Sequence, residues 1–433
     1  MVLTIVLAIV GIILMLVCIL KFPTIKIKNR VFDTFYIPVL LVALILLIFP
    51  IFDKTELFNI LFSNSKLNPL KILVLFISIS FISITLDEAG FFSYIAVKFI
   101  NRFKASQYAL FFSLYLLISI LTIFTSNDIV ILTFTPFILY FAKRGNINPI
   151  PFLVMEFVAA NTYSMLLPIG NPTNIYLSSI YNLDFITYIS KMILPTIFVG
   201  IASVLVLLLL FHKELSKKIE VFDDKPIHLK NKFICIVSLI HLSLTTILLV
   251  ISNYISIEMW IIALLFGVSL LIFISVYGIV KKNHLFISRP IKRLPYTLIP
   301  FVLSMFIIIM ALESFGIFGN IHDLFENIQN DNLKEIVYLI SSTISCNLVN
   351  NIPMTIAYGS ILSGATNETL IYASIIGSNL GALLTPVGAL AGIMWMRILK
   401  QNDVDYGFIK FMKNGSIITL ALLIASSLAL LII

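Results

Sequence analysis

Asparagine, threonine, proline and glycine gather at four places in this chain, each inside an apolar run. Two are short tips, Thr125-Ser126-Asn127-Asp128 and Asn347-Leu-Val-Asn350-Asn351-Ile-Pro353. Two are longer breaks, Asn161-Thr-Tyr-Ser-Met-Leu-Leu-Pro168-Ile-Gly170-Asn171-Pro172-Thr173-Asn174 and Asn379-Leu-Gly-Ala-Leu-Leu-Thr385-Pro386-Val387-Gly388-Ala389. Proline removes a helix donor, and glycine and asparagine favour turns, so each stretch interrupts a helix. Irregular backbone at membrane depth survives only where protein or a water-filled cavity surrounds it. The half-helix ends so created offer amides with partial positive charge to an anion and free carbonyls to a cation.

The candidate site is therefore Ser126, Asn127, Asp128, Asn161, Gly170, Asn171, Thr173, Asn174, Asn350, Asn351, Asn379, Thr385 and Gly388. Its neutral donors and acceptors suit a small polar or anionic solute better than a strongly cationic one. Asp128 is the one acid at a tip, and an ionisable group deep in a membrane is costly enough to point to function. It can bind a cation or carry a coupling proton. Glu156, in the arm before the first break, is the second coupling candidate. Blander readings apply elsewhere: a lone asparagine caps a freed helix end, Asp87 and Glu313 sit at helix ends near the interface, and Cys346 is a small apolar filler.

The four places are ordered as a repeat. The breaks lie 218 residues apart at their asparagine, proline and glycine positions, and Asn127-Asp128 precedes Asn350-Asn351 by 223. A further match, Leu86-Asp87-x-x-Gly90 with Leu312-Glu313-x-x-Gly316, has an offset of 226. Interrupted apolar segments at matching positions in two halves are the sequence mark of a transporter's binding site.

The elements that must hold these groups are membrane helices. Of the 433 residues 60% are hydrophobic and 12% charged, about half the charge of a soluble domain, and the mean hydropathy is +1.08. Runs such as Val2–Leu20 and Tyr36–Phe52 reach spanning length, about 20 residues, without the alternation of a β-barrel. The net charge of +8 reads as basic cytoplasmic loops rather than as affinity for nucleic acid. The first apolar run has no preceding basic region and reads as a retained helix rather than a signal peptide.

Tyr108–Phe124 and Ile129–Phe141 are separated only by the first tip, and the second arm has about 13 residues, short for a crossing of about 30 Å. A re-entrant hairpin follows, and Ile336–Ser345 with Ile352–Leu362 forms a second. Basic flanks open the first hairpin to the cytoplasm and acidic flanks open the second to the outside, so the halves are inverted. The fold expected is an all-α polytopic membrane protein of two inverted repeats, each with a re-entrant hairpin and a discontinuous helix. Residues 1–211 form the first repeat (hairpin about 106–144, broken helix about 150–180), 212–232 a cytoplasmic linker, and 233–433 the second (hairpin about 334–364, broken helix about 368–400). Ten crossings place both termini outside the cytoplasmic membrane.

Enzyme readings are excluded on several counts. There is no His-Glu-x-x-His zinc motif and no phosphate-binding Gly-Lys-Ser/Thr loop, and the three cysteines fit no metal or disulfide framework. A channel filter of the Thr-Val-Gly-Tyr-Gly kind is missing too.

At these residues the chain resembles the ion transporter superfamily, in particular its arsenical pump (arsenite permease) branch and the related anion permeases. Thr125-Ser-Asn127-Asp128 with Leu132-Thr-Phe-Thr-Pro136 resembles the first-hairpin Asn-Asp motif. Asn350-Asn351-Ile-Pro353 resembles the second-hairpin tip, and Gly377-Ser-Asn379 through Thr385-Pro386-Val-Gly388 to Trp395 is similar to the second break. The tips depart from the Ser-Asn-Thr of the sodium/dicarboxylate branch, whereas Pro168-Ile-Gly170-Asn-Pro172-Thr-Asn174 is similar to that branch's Gly-Thr-Pro-Pro-Asn. The resemblance implies an elevator-type secondary transporter, often a homodimer, with no cofactor and with H+ or Na+ as coupling ion. Its first expected function is efflux of arsenite or antimonite against proton entry, with a possible separate ATPase subunit as partner. The alternatives are a sodium- or proton-coupled permease for dicarboxylate, citrate or inorganic anions, and a sodium/proton antiporter. A membrane scaffold or receptor without transport would need no paired breaks.

Overall fold

The computed structural model describes residues 1–433 except 23, 28–29, 50–52, 63–67, 104–105, 220–228, 253, 366 and 433. The described chain is almost wholly helical, and eight helices are long and apolar enough to cross a membrane. Helix starts follow local chemistry. Asn68 caps Pro69–Glu88 by accepting from Leu70 N–H, Asp184 caps Phe185–Leu215 through Ile186 and Thr187, and Asn330 caps Asp331–Val349 through Leu333.

The helices pack as two bodies. Val2–Lys21, Tyr36–Ile48 and Pro69–Glu88 of the first half join Lys232–Val250, Met259–Val280 and Leu298–Glu313 of the second in a frame. The frame interlocks: Tyr36–Ile48 lies on Leu298–Glu313, and Met259–Val280 lies on Pro69–Glu88. Frame helices leave large apolar residues such as Leu265, Ile272 and Val276 exposed, as a lipid-facing surface requires.

The second body, the core, contains both hairpins and both broken helices. The first hairpin has arms Gln107–Phe124 and Asn127–Arg144, the second Asp331–Val349 and Asn351–Ile361. The first broken helix runs Ile150–Tyr163 and Pro172–Ile180, the second Thr369–Gly381 and Leu390–Gln401, each bridged by a single 3-10 turn, Pro168–Gly170 or Pro386–Gly388. Phe185–Leu215 packs along Phe408–Leu430 and closes the core. Phe91–Phe103 and Ile317–Glu326, both amphipathic in sequence, lead from frame to hairpin in the two halves. This is the expected fold of two repeats, each with a hairpin and a discontinuous helix.

Several details differ from the expectation. Residues 212–215 of the expected linker are the last turn of Phe185–Leu215, because the apolar face continues through Leu215; most of the remainder lies outside the described residues. Thr24–Ile27 and Arg30–Asp33 pair as antiparallel strands, a departure from the all-α fold expected. A further short helix, Thr55–Phe62, precedes Pro69–Glu88. Asp87, in the last turn of Pro69–Glu88, is buried against the protein, and its Oδ2 lies 2.7 Å from Arg293 Nη1, which also pairs with Glu88.

Candidate functional site

Each break is tied by backbone packed against backbone. A Cβ on Gly170 would lie 2.1 Å from Ser164 O, and one on Gly388 2.5 Å from Gly381 O, so each turn folds back onto the end of its own helix with no room for a side chain. Beyond the turns the halves differ. Asn171 and Asn174 project amides across the core to Asn379: Asn171 Nδ2 donates to Asn379 Oδ1 (3.0 Å), and Asn379 Nδ2 donates to Asn174 Oδ1 (2.7 Å). Ser164 Oγ donates to the same Asn379 Oδ1 (3.0 Å), and Ser378 Oγ donates to Thr173 Oγ1 (2.9 Å). Asn174 Nδ2 also donates to Ser164 O and Leu167 O, satisfying carbonyls freed by the break. All of these groups are buried, so Asn171, Thr173, Asn174 and Asn379 form a brace between the halves whose hydrogen-bonding capacity is taken up by the protein.

Asn161, the counterpart of Asn379, turns the other way. Its Oδ1 accepts from Asn127 Nδ2 at the first tip (3.2 Å), and Asn127 Oδ1 accepts from Asp128 N–H (2.9 Å). The first tip is thereby fastened to the first break within its own half. At the second tip Asn350 adopts φ +77° and ψ 155°, a strained conformation outside the left-handed helical region and otherwise almost confined to glycine, and donates from Nδ2 to Val387 O (3.0 Å). Thr385 Oγ1 donates to Asn347 Oδ1 (2.7 Å) while Asn347 Nδ2 donates to Gly381 O (3.0 Å). Asn347 thus stitches the second hairpin to the second break.

A cavity of about 380 Å³ lies between core and frame. Of the expected site residues it touches Ser126 and Asp128, together with Leu390 at the start of the helix after the second break. Ser126 Oγ is buried without a hydrogen-bond partner, and the Asp128 carboxylate has neither hydrogen bond nor ion pair among the described residues. Asp128 therefore presents an unused carboxylate to the cavity at the N-terminus of Asn127–Arg144, with the unpartnered Ser126 hydroxyl buried just behind the cavity wall. Asp33, Lys292, Arg293 and Arg397 border the same cavity toward solvent. Two of these cations are already engaged, Arg397 with Asp33 (3.4 Å) and Arg293 with Asp87 and Glu88. Burial lifts the Asp33 carboxyl above its ordinary range, although Arg397 and the Thr297 hydroxyl pull it down.

Glu156 is wholly buried and away from this cavity; both carboxylate oxygens lie 3.1 Å from Thr135 Oγ1, whose one proton also has Ile131 O within reach at 2.6 Å. Asn350, Asn351, Thr385 and Gly388 belong to the second tip and break and do not line it. Sequence reasoning passed over Ser164, Asn347, Asp33 and Arg397. Ser164 and Asn347 stood inside the quoted stretches and could have been read as further polar interruptions. Arg397 is one of the many basic residues that the net charge assigns to cytoplasmic loops, and nothing in the sequence around Asp33 marks it.

The match to the family described as CitMHS, citrate transporter, covers residues 1–374. A putative arsenical pump membrane protein of Bacillus subtilis (strain 168) is 26% identical over 367 residues, 78% of this chain and 81% of the relative. The arsenical pump membrane protein of Escherichia coli is 25% identical over 381 residues, 82% of this chain and 84% of the relative. Among solved structures, the Alcanivorax borkumensis YdaH transporter, described as having an unusual topology, aligns over 99% of this chain and 97% of its own with a TM-score of 0.56 and 15% identity. That likeness is one of fold.

Proposed function

The chain belongs to the CitMHS citrate transporter family of membrane transporters, and on that premise we propose that it exports arsenite and antimonite in exchange for protons. The observation that carries the reading is the chemistry at the inner end of the cavity, where the Asp128 carboxylate and the Ser126 hydroxyl stand without a protein partner. Arsenous acid is an uncharged trihydroxide near neutral pH. It can donate to Asp128 and accept from Ser126, whereas a multiply charged anion would meet the carboxylate without a cation beside it, at a Coulomb cost that burial enlarges. Asp128 then alternates between holding the solute and holding a proton, which makes efflux and proton entry exclusive at one carboxylate.

In this mechanism the core carries the tip and its bound solute past the frame as one piece, an elevator motion. The brace around Asn379 supports it, since it ties both breaks into a unit that can move without internal rearrangement. By the bias of basic residues to the cytoplasm, the mouth bordered by Lys292, Arg293 and Arg397 faces inward. Assembly as a homodimer and association with a separate ATPase subunit belong to the same reading.

The family description favours a second reading, a proton- or sodium-coupled permease for citrate or another carboxylate. One experiment separates them. Everted vesicles containing the protein are given a proton gradient and offered arsenite or citrate. Gradient-driven arsenite accumulation that citrate does not compete with is the expected result. Citrate flux without arsenite flux would replace the first reading by the second.

A further inference from the structure

Three empty spaces follow one another along the frame helix Pro69–Glu88. The large cavity touches it at Phe76, Ser80 and Ile84. A seam of about 20 Å³, room for about one water, touches it at Ile72, Leu73 and Phe76. A second cavity of about 330 Å³ touches it at Lys71, Ile72 and Leu75. Neighbouring spaces share lining residues, Phe76 and Leu298 on one side of the seam and Ile72 on the other. The series therefore runs along the boundary between frame and core for most of a spanning helix.

The repeat offsets relate the two ends of the series to each other. Ile129 and Leu132, on the core wall of the large cavity, precede Ile352 and Thr355 of the seam by 223 residues. Leu390 and Met394 of the cavity follow Pro172 and Tyr176 of the seam by 218, and Leu298 follows Ile72 by 226. The correspondence continues beyond the seam: Arg397 and Thr297 of the large cavity match Ser179 and Lys71 of the second. Asp33 and Glu258, each just before a frame helix, border the two cavities, each paired to a cation: Asp33 with Arg397, and Glu258 with Lys71 at 2.7 Å. These offsets are the ones found between the tips, between the breaks and between the frame helices.

We infer that the seam is the closed second gate of the transport path and that the 330 Å³ cavity beyond it is the opposite mouth. The inference rests on the transport reading but not on which solute is carried. In an inverted repeat, the open cavity on one face and the closed seam on the other exchange roles when the core shifts. In the opposite state Ile352 and Thr355 line an open cavity while Ile129 and Leu132 pack against the frame. Asn351, the counterpart of Asp128, is 4% exposed and its carboxamide makes no hydrogen bond among the described residues. Its carboxamide is thus uncommitted within the described protein, as the Asp128 carboxylate is at the first tip.

The test is cysteine accessibility in right-side-out and everted membrane vesicles, with Leu132→Cys, Thr355→Cys and Ile72→Cys introduced singly. A membrane-impermeant, cationic methanethiosulfonate reports each position, read against the parent chain, whose three cysteines set the background. Thr355→Cys and Ile72→Cys should react from the face opposite to Leu132→Cys. Imposing or reversing a proton gradient should move the core and frame-seam rates opposite to the Leu132→Cys rate, by about tenfold. The frame position Ile72 keeps the test alive if the Thr355 variant is poorly made. If both seam positions stay inert, or react from the same face as Leu132→Cys, in vesicles that transport, the gate assignment is wrong. Reciprocal labelling in vesicles that move no arsenite would leave the gate standing and remove the metalloid reading.

Discussion

Both broken helices turn through Pro-x-Gly, and both carry a buried asparagine near the end of the half-helix before the turn, yet the residues after the turns part company. The first continues as Asn171-Pro-Thr-Asn174 and the second as Ala389-Leu-Ala-Gly392. A Cβ on Gly392 would stand 2.5 Å from Pro386 O, so no amide could be housed where Asn174 sits in the first half. The second break therefore exchanges hydrogen bonds with the first through Asn379, accepting from Asn171 and donating to Asn174, and its own Gly381 carbonyl is served by Asn347. The tips differ likewise. The first carries a free acid facing a cavity, whereas the second carries Asn351 beside a positive-φ asparagine and a closed seam. Equivalent positions in a repeat thus share backbone geometry while dividing the polar work.

That division can be broken at several points. Asp128→Asn should lower gradient-driven efflux by about a hundredfold, the scale of losing a proton-transfer group, while Asn351→Asp should leave coupling in place; equal losses in a vesicle flux assay would mean that the tips are functionally alike. Gly170→Ala forces a Cβ into the closer of the two backbone contacts and should cost about 3 kcal/mol or more, with Gly388→Ala less damaging, as measured by thermal melting in detergent. Asn379→Ala strips partners from Ser164, Asn171 and Asn174 together and should cost about 2 to 3 kcal/mol. Asn161→Ala loses the single bond to Asn127 and should cost about 1 kcal/mol, with a larger proportional effect on transport than on melting.

The smallest effect concerns the two mouths. Burial holds the Asp33 carboxyl above its ordinary value, near 3.9. At Glu258 burial acts the same way, but the hydrogen bonds from Lys71 and Trp260 and the Lys71 charge overcome it and hold the carboxyl below its ordinary value, near 4.3. The charge of each acid is present above its own pKa and lost as pH falls through it. Acidification therefore releases the Asp33–Arg397 pair first and the Lys71–Glu258 pair only later. Labelling of Leu132→Cys, taken relative to a fully exposed reference thiol to remove the falling thiolate fraction, should accelerate modestly as pH falls through the upper window. Asp33→Asn should abolish that step and Glu258→Gln should leave it; an unchanged profile in Asp33→Asn would assign the step elsewhere.

The hairpins and broken helices were legible because their signals are local. Proline lacks a donor, glycine and asparagine favour turns, and a 13-residue arm between a polar tip and Lys143 has little length for a crossing. The frame's interlocking was not legible. Nothing in the spacing of Tyr36–Ile48 indicates that it leans on Leu298–Glu313, since an apolar helix packs on any complementary face. The partners of buried asparagines were equally hidden. Asn161 and Asn379 look identical in sequence, but one fastens a tip and the other joins the halves, because an amide's partner depends on which backbone comes within about 3 Å of it.

By itself the sequence determined a membrane-embedded chain, two repeats with four polar interruptions, and Asp128 as the acid at a tip. These follow from composition, proline and glycine chemistry and constant offsets, none of which needs a third dimension. The tertiary structure decided that Asn171, Asn174 and Asn379 satisfy one another, that Ser126 and Asp128 are left to meet the cavity, and that the counterpart seam is shut. Those outcomes depend on which surfaces frame and core bring together, and a hydrogen bond exists only where donor and acceptor are brought within reach.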